Sequence, residues 1–411
     1  MGLNVDGSAF YPALEPYYNQ GSYPFLRVGD IKDYIDYDNC IKVPFEILHK
    51  YPTLKHCKKG DIVLTKGGTV GLAGLITQDC CVTRDLIFIN SSILPEEDYI
   101  CLFLYLSTKF SYYQLIRSSS QSVQPHLTIT LVRDIAVFKY SSQFKLTISK
   151  IYNQSVEKRM QSKSLYRQAE ELLLGTIGLK DFQPTEENKN IKSFSESFLA
   201  TGRLDAEYYQ PKYEEIISKV KQQEYDLLGN LVSIKKSIEP GSDVYSDEGL
   251  PFLRVADYNK FGISTPEKKL SDTFCKENLT LIENLKPRKE TILFSKDGSV
   301  GTAYMLREDA DFITSGAILH LTVKNRKVLP EYLTLALNSE VVQQQAERDA
   351  GGSIILHWRM EEIENVVVPI VDIKIQQQIA ELIEKSFYLC AESKRLLDEV
   401  KDMVEKEIEK E

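Results

Sequence analysis

The sequence predicts an α+β fold: two tandem homologous globular domains, accompanied by two long helices packed together as an antiparallel coiled coil. Three observations carry this. Much of the chain matches itself in one unbroken order, and each copy holds short β-branched runs divided by glycine and polar turns. Each copy is also followed by a long helical segment with an apolar stripe on one side. The boundaries read as 1–142 for the first domain, 143–175 for the first long helix and 176–200 for a linker. The second domain then takes 201–371 and the second long helix 372–411.

In chain order, "YPFLRVGDIKDY" (23–34) is answered by "LPFLRVADYNKF" (250–261). Ahead of the second block stands "GRLDAEYYQPKYEEIISKV" (202–220), aromatic and helical in character. No counterpart precedes the first block, so the amino-terminal copy is expected to lack this lead-in segment. Next, "GDIVLTKGGTVG" from Gly60 matches "ETILFSKDGSVG" from Glu290. A Leu-Pro helix start follows in "ILPEEDYICLFLYLSTK" (93–109) and "VLPEYLTLALNSE" (328–340), predicting one helix in each copy. Finally "SSQSVQPHLTITLVRDIAVF" (119–138) aligns with "GGSIILHWRMEEIENVVVP" (351–369), and "RDIAVF" and "ENVVVPI" read as closing strands. The period exceeds that of solenoid repeats, so this is a duplicated domain of roughly 150 residues.

A strand followed by a glycine loop with Lys and Thr invites a nucleotide-phosphate reading, and the context refuses it. Neither copy ends in Gly-Lys-Ser/Thr, neither shows GxGxxG entering a helix, and each loop leads into another strand.

The second helical segment carries Ile379, Ile383, Phe387, Leu397, Val400 and Val404 along one stripe. The first carries Ile148, Tyr152, Val156, Tyr166, Ala169 and Leu173 at matching positions and is expected to stop at Gly175. Ser155 matches Ser386 and Ser162 matches Ser393. Each stripe needs a partner, and the cheapest is the other helix; two separate helices, each lying on its own domain, are the alternative. Helices of roughly 30–38 residues would span about 45–57 Å.

With 43% hydrophobic residues in 411, the chain can bury sizeable cores. A net charge of −9 is unlike a free-standing DNA binder, although local patches decide binding. Seven cysteines, an odd number without CxxC spacing, argue against a disulfide framework or a zinc cluster and point to a reducing cytoplasm. No signal peptide opens the chain, and "YICLFLYL" (99–106) is far short of the ~20 apolar residues of a membrane span. A soluble cytoplasmic protein is expected. No H-E-x-x-H, G-x-S-x-G, methyltransferase or nuclease motif stands out, so no active site and no metal site are expected.

The paired "PFLRVGD/PFLRVAD" and "GDIVLTKGGTVG/TILFSKDGSVG" blocks, the "LDAEYYQPKYEEI" lead-in and the "VPIVDIKIQQQIAELI" entry to the last helix resemble the DNA-specificity subunits of type I restriction–modification systems. The resemblance covers nearly the whole chain, and its specificity lies in the order of the motifs. It departs from the family in the missing first lead-in and in "SSQFKLTISKI", which lacks the Gln run. It implies a non-catalytic subunit whose two target-recognition domains each read one half of a bipartite, asymmetric site on double-stranded DNA. The helices would set the spacing and dock methyltransferase (modification) subunits, two of them, with restriction-translocase subunits joining that core. No cofactor would bind this chain: S-adenosylmethionine would belong to the methyltransferase, ATP and Mg to the restriction subunit. A duplicated protein-binding scaffold, and a reader for a modification-only phage-defence methyltransferase, stay open as alternatives.

Candidate DNA-binding residues follow. In the glycine loops Lys66, Thr69, Lys296 and Ser299 offer phosphate contacts, and Gly68 and Gly298 close backbone approach; a tight turn needing positive φ explains the same glycines. Arg27 and Arg254 have guanine-reading chemistry, or form structural pairs with Asp30 and Asp257. Base readout is expected where the copies differ: Arg117, Gln121, Gln124 and His126 in the first, Ser353, His357, Trp358 and Arg359 in the second. An ordinary surface loop is the alternative there.

Overall fold

The computed structural model describes residues 3–8, 13–67, 69–118, 126–351 and 356–410. The chain divides into two units, residues 1–160 with 390–411 and residues 161–389.

The first unit holds β1 (Val5–Gly7), β2 (Tyr23–Leu26), β3 (Ile41–Val43), α1 (Ile47–Lys50), β4 (Lys55–Cys57), β5 (Ile62–Thr65), β6 (Ala73–Leu75), β7 (Cys80–Val82) and β8 (Leu86–Ile89). Helices α2 (Glu96–Leu106), α3 (Lys109–Ser118) and α4 (Ile129–Arg133) follow, then the long α5 (Ser142–Thr176). One sheet is antiparallel, in the order β1-β8-β5-β6; the other runs β3-β2-β7-β4 around a parallel β2/β7 pair with Phe25 opposite Cys81. Side chains alternate along a strand. Ile62 and Leu64 of β5 therefore face Phe103, Ile148 and Tyr152, while Val63 between them packs with Leu26, Val82 and Phe88. Both faces are covered, which is why "IVL" reads as a continuous apolar run. Cys80 and Cys81 are strand residues buried in different clusters.

The second unit repeats the plan. The lead-in brings α6 (Phe198–Thr201), α7 (Pro211–Val220), β9 (Tyr225–Leu227) and α8 (Leu228–Leu231). Then come β10 (Val232–Lys236), β11 (Tyr245–Ser246), β12 (Leu250–Leu253), β13 (Tyr258–Asn259), β14 (Gly262–Ile263), β15 (Lys269–Leu270), α9 (Asp272–Glu277) and α10 (Leu279–Leu285). After β16 (Ile292–Ser295), β17 (Ala303–Met305), β18 (Ile313–Thr314) and β19 (Ile318–Val323), the chain forms α11 (Pro330–Asn338), α12 (Glu340–Asp349), α13 (Met360–Glu364), β20 (Val367–Pro369) and α14 (Ile373–Glu409). Sheet β10-β19-β16-β17 corresponds to β1-β8-β5-β6, and the parallel β12/β18 pair to β2/β7.

The two long helices pack against each other antiparallel. In the first unit the Ser393 hydroxyl donates to the Ser155 carbonyl at 2.7 Å, and Tyr34 Oη lies 3.0 Å from both seryl oxygens. In the second, Ser386 donates to the Ser162 carbonyl at 2.8 Å, with the hydroxyls 3.1 Å apart. Residue numbers falling on one helix as they rise on the other fix the direction. Ile148, Tyr152, Leu397, Val400 and Val404 join one core; Tyr166, Ala169, Leu173, Ile379 and Ile383 join the other. Each helix thus packs on its partner and on the sheet-bearing layers together.

Three local expectations change, and one strand is added. β1, ahead of "YPFLRVGD", pairs with β8 as β10 pairs with β19; three residues of "VDG" are too short and polar to announce a strand. The helix after each Leu-Pro is two helices, α2/α3 and α11/α12, broken in the second copy by extended backbone at Ser339 (ψ 160°). Helix α5 runs past Gly175 and stops at Gly178 (φ 69°). There the amides of Gly178 and Leu179 reach the Gly175 and Leu174 carbonyls at 3.2 and 2.8 Å, a Schellman closure. "RDIAVF" is not a strand among the described residues: its counterpart β20 pairs with β9 of the lead-in, and the first copy shows no such partner.

Candidate nucleic-acid interface

The glycine loops are hairpin turns joining β5 to β6 and β16 to β17. Their chemistry is the same. The amide of Gly71 (φ 84°) donates to the Thr65 carbonyl at 2.9 Å, and that of Gly301 (φ 81°) to the Ser295 carbonyl at 2.8 Å. The hydroxyls of Thr65 and Ser295 each accept from an amide across the turn, Leu72 and Thr302, at 2.9 Å, and donate back to the carbonyls of Thr69 and Ser299. The repeated Thr/Ser and final Gly are therefore turn chemistry, as is the positive φ of Gly298 (73°). The side chains left outward are Thr69 and Ser299, both exposed. Gly68 lies outside the described residues.

A second strip of chain runs against each turn. The Leu127 amide donates to the Lys66 carbonyl at 3.1 Å and the Trp358 amide to the Lys296 carbonyl at 2.8 Å, so Leu127 and Trp358 hold equivalent places. Leu127 is fully buried, and Trp358, 2% exposed, packs on Phe294 with centroids 5.7 Å apart and the rings tilted by 50°. The assignment of Trp358 to base readout is corrected here: its indole fills the core beneath the turn and presents no edge to a ligand. The aligned Leu was the signal for this.

The histidines beside these core residues are exposed and frame the turns. The ring of His126 sits over Gly67, where an added Cβ would meet it at 3.2 Å. His357 Nδ1 lies 2.8 Å from Asp297 Oδ1, and Lys296 pairs with the other oxygen of the same carboxylate. Asp297, standing where the first copy has Gly67, was not singled out from sequence; the mismatch in an otherwise matched loop was the available sign. The second turn therefore carries a neutralised lysine, whereas Lys66 faces no acid at the equivalent position.

The remaining candidates scatter. Arg27 and Arg254 cap short 3₁₀ turns: their amides donate to Asp30 and Asp257 at 2.8 Å, and Arg254 also meets Glu267 at 3.3 Å. This is the structural-pair alternative. Arg359 caps α13 through Glu362 with its guanidinium outward, and Arg117 is exposed on the last turn of α3. Gln121, Gln124 and Ser353 lie outside the described residues. The structure thus gathers Lys66, Thr69 and His126 at one turn and Lys296, Gly298, Ser299 and His357 at the other.

Two further features went unread in the sequence. Gln114 of α3 and Gln345 of α12 each clamp a backbone residue: Gln114 Oε1 accepts from the Ala136 amide at 3.0 Å and its amide donates to the Ala136 carbonyl at 3.2 Å. Gln345 does the same to Val367 at 2.8 and 2.9 Å. His320 of β19 is buried against Thr314 Oγ1 (2.9 Å), and burial lowers its pKa to about 4.

These paired units define the class. A family model for the type I restriction modification DNA specificity domain matches residues 5–137 and 224–402, and the chain belongs to that family. It is similar to the specificity subunit of the type I restriction enzyme EcoBI of Escherichia coli, 25% identical over 212 residues. That match takes in 48% of this chain and 44% of the EcoBI protein, so the chain spans less than half the length of that relative. Among solved structures, the type I S subunit from M. genitalium aligns over 98% of this chain and 92% of its own, at 13% identity and a TM-score of 0.42. The HsdS subunit from Thermoanaerobacter tengcongensis aligns over the same shares at 15% identity and 0.31. Likeness at these scores adds nothing to the fold described above. Among the described residues no helix is long and apolar enough to cross a membrane.

Proposed function

We propose that the chain is the DNA-reading, non-catalytic subunit of a type I restriction–modification enzyme, each unit recognising one half of a bipartite site on double-stranded DNA. The observation that carries this is a duplicated frame with an altered surface: the same hairpin, clamp and capped turns recur, while Gly67 of the first turn is replaced by Asp297, which pairs with Lys296 and His357 in the second. A shared frame supplies the same approach to the phosphate backbone, and unlike side chains read unlike bases, so the half-sites differ. The long helices act as the spacer and as the docking surface for two methyltransferase subunits, which enclose the DNA and share phosphate contacts with this acidic chain. Restriction-translocase subunits join that core. S-adenosylmethionine works in the methyltransferase, ATP and Mg in the restriction subunit, and the assembly acts in the cytoplasm.

The test reconstitutes the chain with its methyltransferase and maps methylated sites. Exchanging residues 1–140 for those of a relative is expected to change one half of the motif. A change in both halves, or in neither, overturns the assignment of one unit to one half-site.

A further inference from the structure

The amide clamp makes the two units comparable residue by residue. Gln114 grips Ala136 as Gln345 grips Val367, so Ala136-Val137-Phe138 occupies the place of Val367-Val368-Pro369. In the second unit that segment is β20, paired antiparallel with β9, Val368 opposite Asp226. The ladder continues through the Leu228 amide to the Val366 carbonyl (2.9 Å) and the Ile370 amide to the Glu224 carbonyl (2.8 Å). Above it lies α7, packed on α12 and β20 with Tyr213, Ile216 and Val220 buried. Tyr208 of the same lead-in covers the guanidinium of Arg348 at 5.0 Å.

In the first unit the equivalent edge is open among the described residues. Residues 135–139 join no ladder. In the second unit the Val366 carbonyl and the Ile370 amide meet β9 on the side opposite the Gln345 clamp, and their counterparts here are Ile135 and Lys139, with Val137 between them. Val137 is 37% and Tyr113 65% exposed, and Arg117, the counterpart of Arg348, stands exposed on α3. An exposed segment held by its backbone at Ala136, beside a helix with an exposed tyrosine, is a template for strand addition.

We infer that this edge, with α3 beside it, docks a segment of another polypeptide built like residues 202–231: an amphipathic helix leading into an extended strand, with a tyrosine placed to cover Arg117. The second unit argues for that occupant, because it covers the same clamp, strand and helix with such a segment and with no other. The inference stands independently of which bases the chain reads.

The probe is a fluorescein-labelled synthetic peptide spanning residues 202–231, titrated into the full-length protein by anisotropy, with hydrogen exchange read at 135–139. Saturable binding is expected, with slowed exchange at Val137 and Lys139. Val137→Pro, which deletes the outward amide on an exposed segment, is expected to weaken it about tenfold or more, a loss of about 1.4 kcal/mol. Tyr113→Glu, which leaves the backbone alone, serves as a second variant with the same expected loss. Absence of saturable binding overturns the inference. So does binding that neither variant weakens, which would place the peptide by exchange in the second unit.

Discussion

One substitution made twice tests whether the clamps are understood. Gln345 is 1% exposed and satisfies both the amide and the carbonyl of Val367, itself buried, at 2.8 and 2.9 Å. Gln345→Ala strands a buried donor and a buried acceptor, each costing about 1–3 kcal/mol; partial relaxation puts the sum at about 2–4 kcal/mol. Gln114→Ala removes the same pair of bonds from Ala136, which is exposed and accepts water in exchange, so the cost is about 0.5–1 kcal/mol. Trp358 is the chain's one tryptophan and is buried in the second unit, so its fluorescence reports that unit's unfolding. With a urea slope of about 3 kcal/mol per M, Gln345→Ala should lower the fluorescence midpoint by about 1 M. Gln114→Ala should leave that midpoint in place and show as faster hydrogen exchange at 135–139. A fall below about 0.3 M for Gln345→Ala, or equal losses for the two variants in their own units, would mean that burial does not set what each clamp contributes.

Three further outcomes are expected. Tyr34→Phe removes the hydroxyl 3.0 Å from both Ser155 and Ser393 and should cost the first unit about 1 kcal/mol, seen as faster exchange near Ser155, with Trp358 fluorescence unmoved. His320 is held neutral to about pH 4 by burial, so the unfolded chain binds a proton first as pH falls below 6.5. Stability should therefore drop between pH 6.5 and 4, by at most about 3 kcal/mol, and His320→Gln should flatten that limb of the fluorescence midpoint against pH. For the reconstituted complex with DNA, Lys66→Ala should lower the salt slope of binding by about one, and Lys296→Ala, whose charge Asp297 already meets, by less. Equal slopes would remove the distinction between the two turns.

The duplication was legible because a repeated sequence repeats its local physics. "DIVLT" and "TILFS" had to be strands, and their glycine loops could not bind a nucleotide without a following helix. The matched serines marked the helix seam, since small polar residues on an apolar stripe need a close partner. What sequence reading missed depends on pairing at a distance. "RDIAVF" has strand composition, yet a strand exists only beside another, and the described residues give it none. Gly175 resembled a helix stop, but the closure needed the positive φ that falls three residues later. Trp358 looked like surface chemistry from its neighbours His357 and Arg359, and only the aligned Leu127 pointed inward. The two glutamine clamps were visible as matched letters but had no meaning until a backbone lay within their reach.

The seam hydroxyls bear on how the long helices choose their alignment. Sliding one past the other by a heptad would still oppose Ser162 and Ser393, yet it would set Ser155 against Val400 and Ser386 against Ala169. Ser162 and Ser386 would then lose their hydroxyl contact, and Tyr34 could no longer bridge Ser155 to Ser393, while the stripes would still set apolar against apolar. Grease alone is nearly indifferent between those alignments; four small alcohols make it choose, as a vernier does between neighbouring marks.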